Sequence, residues 1–361
     1  MKVLQITNSF RIGGAEKLVV DSVPLCQKKG IEMDVLTLDN TKTAFSDSLE
    51  RESKGKVIGL TSKSLYNPFL IFKIIPYLKK YDLIHIHLFP SLYWVVLAQM
   101  LSSSKTKLIY TEHSTNNRRR NNFIFKLLDQ IIYRRLSKIV TIAGEVDEEI
   151  KKHLAFPLEC FELIQNGVDV SFFQNSISYP KTDFFENQDI ILIQIASFRW
   201  QKDQNTLIRA LKLLPENVKL ILVGGGPLLQ DSQNLVTELD LNKRVKFLGL
   251  RNDVARLLKT ADVVVLSSKH EGLSLSNIEG MSASKPFIAS NVPGLREIVK
   301  YYGLLFEQGN EQDLAEKIQS LINDPVYSEE IAAKCYERAK EFDINKMIDR
   351  YVDLYANVLN D

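Results

Sequence analysis

Cysteine is scarce in this 361-residue chain: Cys26, Cys160 and Cys335 are the only three, odd in number and far apart. That excludes a disulfide framework and a cysteine zinc site, and it fits the reduced thiols of a cytoplasmic protein. Histidine is nearly as rare, with five, no His-x-x-x-His motif, and no Asp-x-Asp pair that would hold a divalent cation. No apolar run approaches the ~18 residues of a membrane span; the longest, 92 to 101, is broken by Gln99. The amino terminus, Met1-Lys2-Val3-Leu4-Gln5-Ile6-Thr7, alternates like a first strand and leads to Gly13-Gly14 rather than a cleavage site, so no signal peptide is expected. An excess of one charge is missing as well. The 46 Lys/Arg and 44 Asp/Glu leave +2, and the basic residues lack interleaved aromatics, which argues against nucleic acid as a partner.

What is present bounds the fold. A chain of this length suits two domains of roughly 150 to 200 residues rather than one core, and 45% apolar with 25% charged residues is a globular composition. Net neutrality hides an asymmetry: residues 1 to 166 carry 24 Lys/Arg against 17 Asp/Glu, leaving 22 against 27 for the remainder. Such a split marks either a half that meets an anionic surface or two domains whose charges drifted independently. Short β-branched runs at 2 to 7, 33 to 38, 56 to 60, 83 to 87, 107 to 111 and 138 to 142 alternate with helical spacing. A second series runs through 190 to 196, 219 to 223, 245 to 248, 262 to 266, 286 to 290 and 304 to 306, with helices near 203 to 214, 227 to 240, 274 to 284 and 310 to 323. This is an α/β pattern of two Rossmann-like units in tandem. The stretch from about 166 to 188, with Asn166-Gly167-Val168-Asp169 and Tyr179-Pro180, shows little periodicity and is predicted to be the interdomain linker.

The most informative segment is His270-Glu271-Gly272-Leu273-Ser274-Leu275-Ser276-Asn277-Ile278-Glu279, with two carboxylates eight positions apart. If a helix starts near Ser274, Glu279 lies on it and Glu271 in the loop before it, so both can flank one ligand. Ionised oxygens accept short hydrogen bonds from hydroxyls, which suits a sugar or ribose. The backbone N–H groups of Gly272, Leu273, Ser274 and Leu275 would meet an anion at the positive end of the helix. One segment can thus hold a sugar, its diphosphate and a ribose.

Ligands of open parallel sheets sit beyond the carboxyl ends of the strands. After the first strand come Gly13-Gly14-Ala15-Glu16, a paired-glycine turn that admits a phosphate or serves only as turn chemistry. The Gly-x-Gly-x-x-Gly fingerprint is missing, and no acidic residue is expected to end the next strand as an NAD ribose would need, which demotes nicotinamide chemistry. His85-Ile86-His87 and Thr111-Glu112-His113 end neighbouring strands. Strand-end histidines are more often structural than catalytic, and a zinc site from His85, His87 and His113 is the weakest reading. In the second half, Arg199 and Lys202 could neutralise two phosphates or form a solvated basic turn. Gly224-Gly225-Gly226 permits close approach of a ligand or close helix packing, and Leu248 with Arg251 offers an apolar edge and a cation to a flat base.

Taken in order, Gly13-Gly14-Ala15-Glu16, Asn166-Gly167-Val168-Asp169, Phe198-Arg199 with Lys202, Val223-Gly224 with Gly226-Pro227, Val245 with Phe247-Leu248-Gly249, Glu271-Gly272 with Glu279, and Lys285-Pro286 with Pro293-Gly294 resemble the landmarks of the retaining family 4 glycosyltransferases of the GT-B fold. The resemblance spans about residues 7 to 355. It implies two Rossmann-like domains facing across a cleft: an acceptor domain at 1 to 168, joined by a crossover helix at about 345 to 361, and a nucleotide-sugar donor domain at 169 to 344. It further implies that Arg199 and Lys202 bind the diphosphate, Glu279 the ribose, Glu271 the transferred sugar, and the amides of Gly272 to Leu275 the sugar and β-phosphate. His113 matches the histidine that meets the sugar near the reacting centre, and Gly14 the loop nearing the phosphates. The donor is a substrate, and no metal cofactor is implied.

Two departures stand out. Many members place the phosphate-binding arginine five residues before the lysine, where this chain has Ser197. Gly280 replaces a common alanine, which should weaken its helix by about 1 kcal/mol unless packing compensates. Lys202→Ala is expected to cost transfer rate far more than stability. For the acceptor, a glycan or lipid-linked hydroxyl of bacterial capsule, exopolysaccharide or lipopolysaccharide biosynthesis is expected. Asn117-Arg118-Arg119-Arg120 precedes a helix striped with Phe123, Ile124, Leu127, Leu128, Ile131, Ile132 and Leu136. That helix either packs its stripe on the sheet or lies peripherally on anionic lipid at the inner face of the membrane. A nucleotide-sugar epimerase or hydrolase of the same fold, and a non-catalytic nucleotide-binding module, are the competing readings.

Overall fold

The computed structural model describes residues 1–11, 13–61, 64–113, 122–154, 156–271 and 274–361. The chain divides into two units, Met1–Gly167 with Ile344–Asp361, and Val168–Asp343. The first holds a parallel sheet of β1 (Lys2–Thr7), β2 (Glu32–Asp39), β3 (Val57–Thr61), β4 (Leu83–His87), β5 (Lys107–Glu112), β6 (Lys138–Thr141) and β7 (Phe161–Leu163), in the order β3-β2-β1-β4-β5-β6-β7. The order reverses at the β1/β4 pair, where Gln5 lies opposite His85. Both faces are covered, so the strands read as near-continuous apolar runs. Leu4, Ile6, Ile84, Ile86, Leu108 and Tyr110 pack on one side with the helices Leu70–Leu78 and Ser91–Ser102. Val3, Leu83, Ile109 and Val140 face the other, under the helices Gly14–Lys28 and Ile344–Asn360. The last helix contributes Met347, Ile348, Tyr351, Leu354, Tyr355 and Val358, one continuous stripe.

The second unit repeats the plan with β8 (Ile190–Ile195), β9 (Val218–Val223), β10 (Val245–Phe247), β11 (Val263–Leu266), β12 (Phe287–Ser290) and β13 (Leu304–Phe306). Its order is β10-β9-β8-β11-β12-β13, all parallel, with the reversal at β8/β11. Such reversals open a crevice at the carboxyl ends of the two central strands, because their connections depart to opposite sides.

Several expectations need correction. The stretch predicted as linker is built into the second unit: it forms the helix Val170–Asn175, and Val170 and Phe173 are buried in that unit's core. Tyr179 N–H donates to Thr260 Oγ1 at 2.9 Å and its hydroxyl to Asp253 Oδ2 at 2.5 Å. Sparse aromatic anchors hold this segment, and they leave no periodic signature. The three-residue β7 and the helices Val254–Thr260 and Pro325–Ala339 were not anticipated. Gly280 is compensated by packing: a Cβ there would lie 2.5 Å from Phe287 Cε2, so glycine lets the helix settle on β12.

Most of the stripe on the helix Phe123–Tyr133 stands off the sheet: Ile132 is buried in the core and Leu136 packs against it, while the rest faces outward. Phe123 is 72% exposed, Ile124 65% and Leu127 53%. Polar contacts anchor the inward side beside Ile132 and Tyr133. Buried Asp129 accepts from Tyr93 Oη at 2.6 Å and lies 2.8 Å from His153 Nε2, and Gln130 Nε2 donates to the Leu154 carbonyl at 2.8 Å. Glu112 accepts from Tyr133 Oη at 3.5 Å, a contact between the same helix and β5. The arginines at 118 to 120 lie outside the described residues.

Candidate active site

In the second unit the candidate residues gather at the strand reversal. Arg199 and Lys202 follow β8, Lys202 ending the short 3₁₀ turn Trp200–Lys202. Glu271 follows β11, and Ser274 occupies the N-terminal cap position of the helix Leu275–Ser282 that carries Glu279. Both carboxylates are buried. Lys202 Nζ meets Glu271 Oε1 at 2.5 Å, and the same oxygen accepts from Ser268 Oγ at 2.7 Å. Glu279 lines a small recess with Ile195, Leu266 and Ser276. Ser274 makes no side-chain cap, so the first amides of this helix, those of Ser274 and Leu275 among them, keep their donors for an anion. Gly272 and Leu273 lie outside the described residues.

Residues that the sequence reading missed stitch the two loops together. Gln194, near the end of β8, donates from Nε2 to the Lys202 carbonyl at 2.9 Å, while its Oε1 accepts from Ser267 Oγ at 2.8 Å. Lys269 N–H donates to the Gln201 carbonyl at 2.8 Å. Asp203, next to Lys202, is held at φ +41°, a left-handed position rare for a non-glycine residue. The available signal was Gln194 itself, a lone amide in the apolar run Ile-Ile-Leu-Ile-Gln-Ile.

Other candidates behave differently. Arg199 is exposed and borders a cavity of about 100 Å³ with Trp200, Asp203 and Lys269. Arg251 is not an uncommitted cation: its Nε donates to Asp253 Oδ1 at 2.8 Å and its Nη2 to Oδ2 at 2.5 Å. That guanidinium, against the opposing effect of burial, holds the Asp253 carboxyl well below the ordinary range. Packing alone accounts for two of the three loop glycines. A Cβ on Gly224 (φ +139°) would fall 2.1 Å from the Ala196 carbonyl oxygen and one on Gly226 (φ +154°) 2.5 Å from that of Phe198, whereas Gly225 meets nothing nearer than Leu250 Cγ at 3.5 Å. Leu248 N–H is engaged by the Leu222 carbonyl at 3.0 Å.

In the first unit, Gly14 opens the helix that follows β1, with Gly13 as its cap. Contrary to expectation, an acidic residue, Asp39, does end β2. Its Oδ1 accepts from Thr41 N–H at 3.0 Å and its Oδ2 from Arg11 at 3.2 Å, so it closes a turn. His113 follows β5 half-buried, and its Nε2 lies 3.0 Å from His87 Nδ1. Both nitrogens of His85 are engaged, by Tyr355 Oη at 2.7 Å and Thr111 Oγ1 at 2.6 Å. Three imidazoles bonded this way do not converge on a metal. Burial keeps them neutral, drawing His85 down to about 3 and His113 to about 4.

Two family profiles match: glycosyltransferase family 4 over residues 12–172 and glycosyl transferases group 1 over residues 178–342. An uncharacterized glycosyltransferase of Methanocaldococcus jannaschii is 31% identical over 95% of this chain and 93% of its own. The chain belongs to the family 4 glycosyltransferases. The UDP-Gal:α-D-GlcNAc-diphosphoundecaprenol α-1,3-galactosyltransferase of Escherichia coli is 26% identical to this glycosyltransferase over 93% of this chain and 88% of its own. Among solved structures, Anabaena HepE in complex with UDP-glucose superposes with a TM-score of 0.85 at 23% identity, covering 99% of this chain and 100% of that one. The fold of the glycosyltransferase is therefore GT-B, with two Rossmann-like units.

Proposed function

We propose that this glycosyltransferase moves a hexose or N-acetylhexosamine, with retention, from a nucleotide-diphosphate sugar to a hydroxyl of a glycan or lipid-linked acceptor in bacterial capsule, exopolysaccharide or lipopolysaccharide biosynthesis. One observation carries the reading: a part-buried lysine paired with a buried carboxylate, Lys202–Glu271, beside uncapped helix amides at a strand reversal. A neutral sugar on a dianionic leaving group matches that set. Glu271 accepts sugar hydroxyls, Glu279 holds the ribose, and Lys202, Arg199 and the helix amides meet the charge that grows on the departing diphosphate. Gly225, Leu248 and Leu250 edge the base. On the first unit, Gly14 nears the phosphates and His113 meets the sugar. Attack comes from the leaving-group face, the departing phosphate oxygen taking the acceptor proton, and no metal cofactor enters. The donor class is supported by HepE, solved with UDP-glucose, and the acceptor class by relatives named for transfer to diphosphoundecaprenol-linked sugars.

The proposal extends to a membrane-peripheral face at the inner leaflet. No helix among the described residues is long and apolar enough to cross a bilayer, yet Phe123, Ile124, Leu127 and Ile131 stand outward with exposed Lys126, Arg134 and Arg135 on or beside the same helix. Phe89, ring to ring with Tyr66 at 6.1 Å and Phe125 at 6.3 Å, links this face to exposed Tyr66. Apolar side chains among cations match anionic lipid.

Thermal unfolding with UDP-, GDP- and ADP-sugars tests the donor. Ligand at a hundred times its dissociation constant adds about 2.7 kcal/mol, a rise of roughly 5–10 °C for a unit of this size. Donor-dependent transfer with the anomeric configuration read by NMR follows. No stabilisation by any nucleotide sugar would refute the reading.

A further inference from the structure

On the β1-β4-β5 face that the first and last helices cover, side chains change from apolar to polar toward the strand ends: Val3 then Gln5, Leu83 then His85 and His87, Ile109 then Thr111 and His113. Gln5 is buried, and its amide is oriented by its neighbours. Its Nε2 faces Tyr355 Oη at 3.1 Å and Met33 Sδ at 3.7 Å. A thioether sulfur can only accept, so the NH₂ end belongs there and Oε1 turns to His87 Nε2, 2.6 Å away. The rest follows by elimination. A carbonyl oxygen accepts, so His87 carries its proton on Nε2 and, being neutral, offers a lone pair at Nδ1. That lone pair faces His113 Nε2 at 3.0 Å, which must then be the protonated nitrogen. His113 Nδ1 is left as an acceptor and has no partner among the described residues.

We propose that Gln5, acting through His87, is a positioning residue that holds His113 in the Nε2–H tautomer and so presents its Nδ1 lone pair to a hydroxyl of the sugar being transferred. The identity of that hydroxyl donor rests on the function proposed above; the tautomer does not. A purely structural role for the network would be served equally by either direction of proton donation. A site that binds a hydroxyl as donor needs only one.

The test is two-bond ¹H–¹⁵N correlation on the full chain labelled with ¹⁵N-histidine at neutral pH. In the wild type, His87 and His113 should both show a protonated Nε2 and an unprotonated Nδ1. Gln5→Leu removes the acceptor. His113 should then move, wholly or in exchange, to the Nδ1–H pattern, and kcat should fall roughly tenfold, the worth of one hydrogen bond. If Leu at this position does not fold, Gln5→Asn, whose amide stops one methylene short, makes the same test. A wild-type His113 protonated on Nδ1, or an unchanged tautomer in the folded variant, overturns the proposal. Absence of glycosyl transfer with the expected tautomers in place would instead overturn the reading of function and leave the relay standing.

Discussion

Removing Lys202 should harm the protein twice, and the two effects can be separated. From the sequence alone Lys202→Ala costs mainly rate. The structure adds a stability cost, because Glu271, with a side chain only 8% exposed, would keep Ser268 Oγ but lose the ammonium 2.5 Å away. Breaking a fully buried pair costs ~3–5 kcal/mol. The Lys202 side chain is 20% exposed, so water reaches part of the site, and about 2 kcal/mol is expected. Glu271→Gln removes the charge that Lys202→Ala strands, so the double variant should regain about 1–2 kcal/mol relative to the sum of the singles. Activity should behave otherwise. Each single change removes a preorganised group and should lower turnover roughly 10²- to 10³-fold, and the double variant recovers none of it. Urea unfolding and donor turnover of the four proteins read both cycles. Additive stabilities would refute the coupling, and normal turnover by Lys202→Ala would refute the assignment of the site.

Two further outcomes follow from burial and exposure. Phe123→Ser with Leu127→Ser should leave stability within about 0.5 kcal/mol, since both side chains stand in solvent, yet abolish salt-sensitive flotation with anionic vesicles; flotation that persists, or never occurs in the wild type, would sink the lipid reading. The buried imidazoles should make the first unit acid-labile. An unfolded histidine titrates near 6.5, while burial holds His85 at about 3 and His113 at about 4. The unfolded state therefore binds more protons below pH 6.5, and stability falls with pH by up to ~1.4 kcal/mol per unit for each imidazole. A urea midpoint that stays flat between pH 7 and 5.5 would contradict their neutrality.

Much of this was legible because buried parallel strands cannot hide: with both faces covered they read as apolar runs, and every strand of four residues or more was found. The Glu271–Glu279 spacing likewise announced a helix start, since an eight-residue step past a small-residue turn has few other uses. Pairwise choices were not legible. Arg251 meets Asp253 only once the loop has turned, and Gly280 is needed only because Phe287 of β12 arrives against its helix. The direction of the stripe on the helix Phe123–Tyr133 stayed open for a related reason: amphipathicity reports that two faces differ, while polar contacts at Asp129, Gln130 and Tyr133 help to decide which one turns inward.

The two missed glutamines point to a common cause. Gln5 and Gln194 each lie near the carboxyl end of the first strand of their unit, beside the strand across which the order reverses. At that position the two connections leave in opposite directions, so loop backbone and side-chain groups lose sheet partners within reach of one buried side chain. An amide can donate to one loop and accept from the other at once, which neither a carboxylate nor an ammonium can do without a buried charge. Gln194 does this with the Lys202 carbonyl and Ser267 Oγ, whereas Gln5 bridges the last helix, at Tyr355, and the end of β4, at His87. A lone glutamine late in the first strand of a Rossmann-like unit is then a readable sign of which loops are held in register, and the residues it bonds are where the chemistry of the unit should be sought.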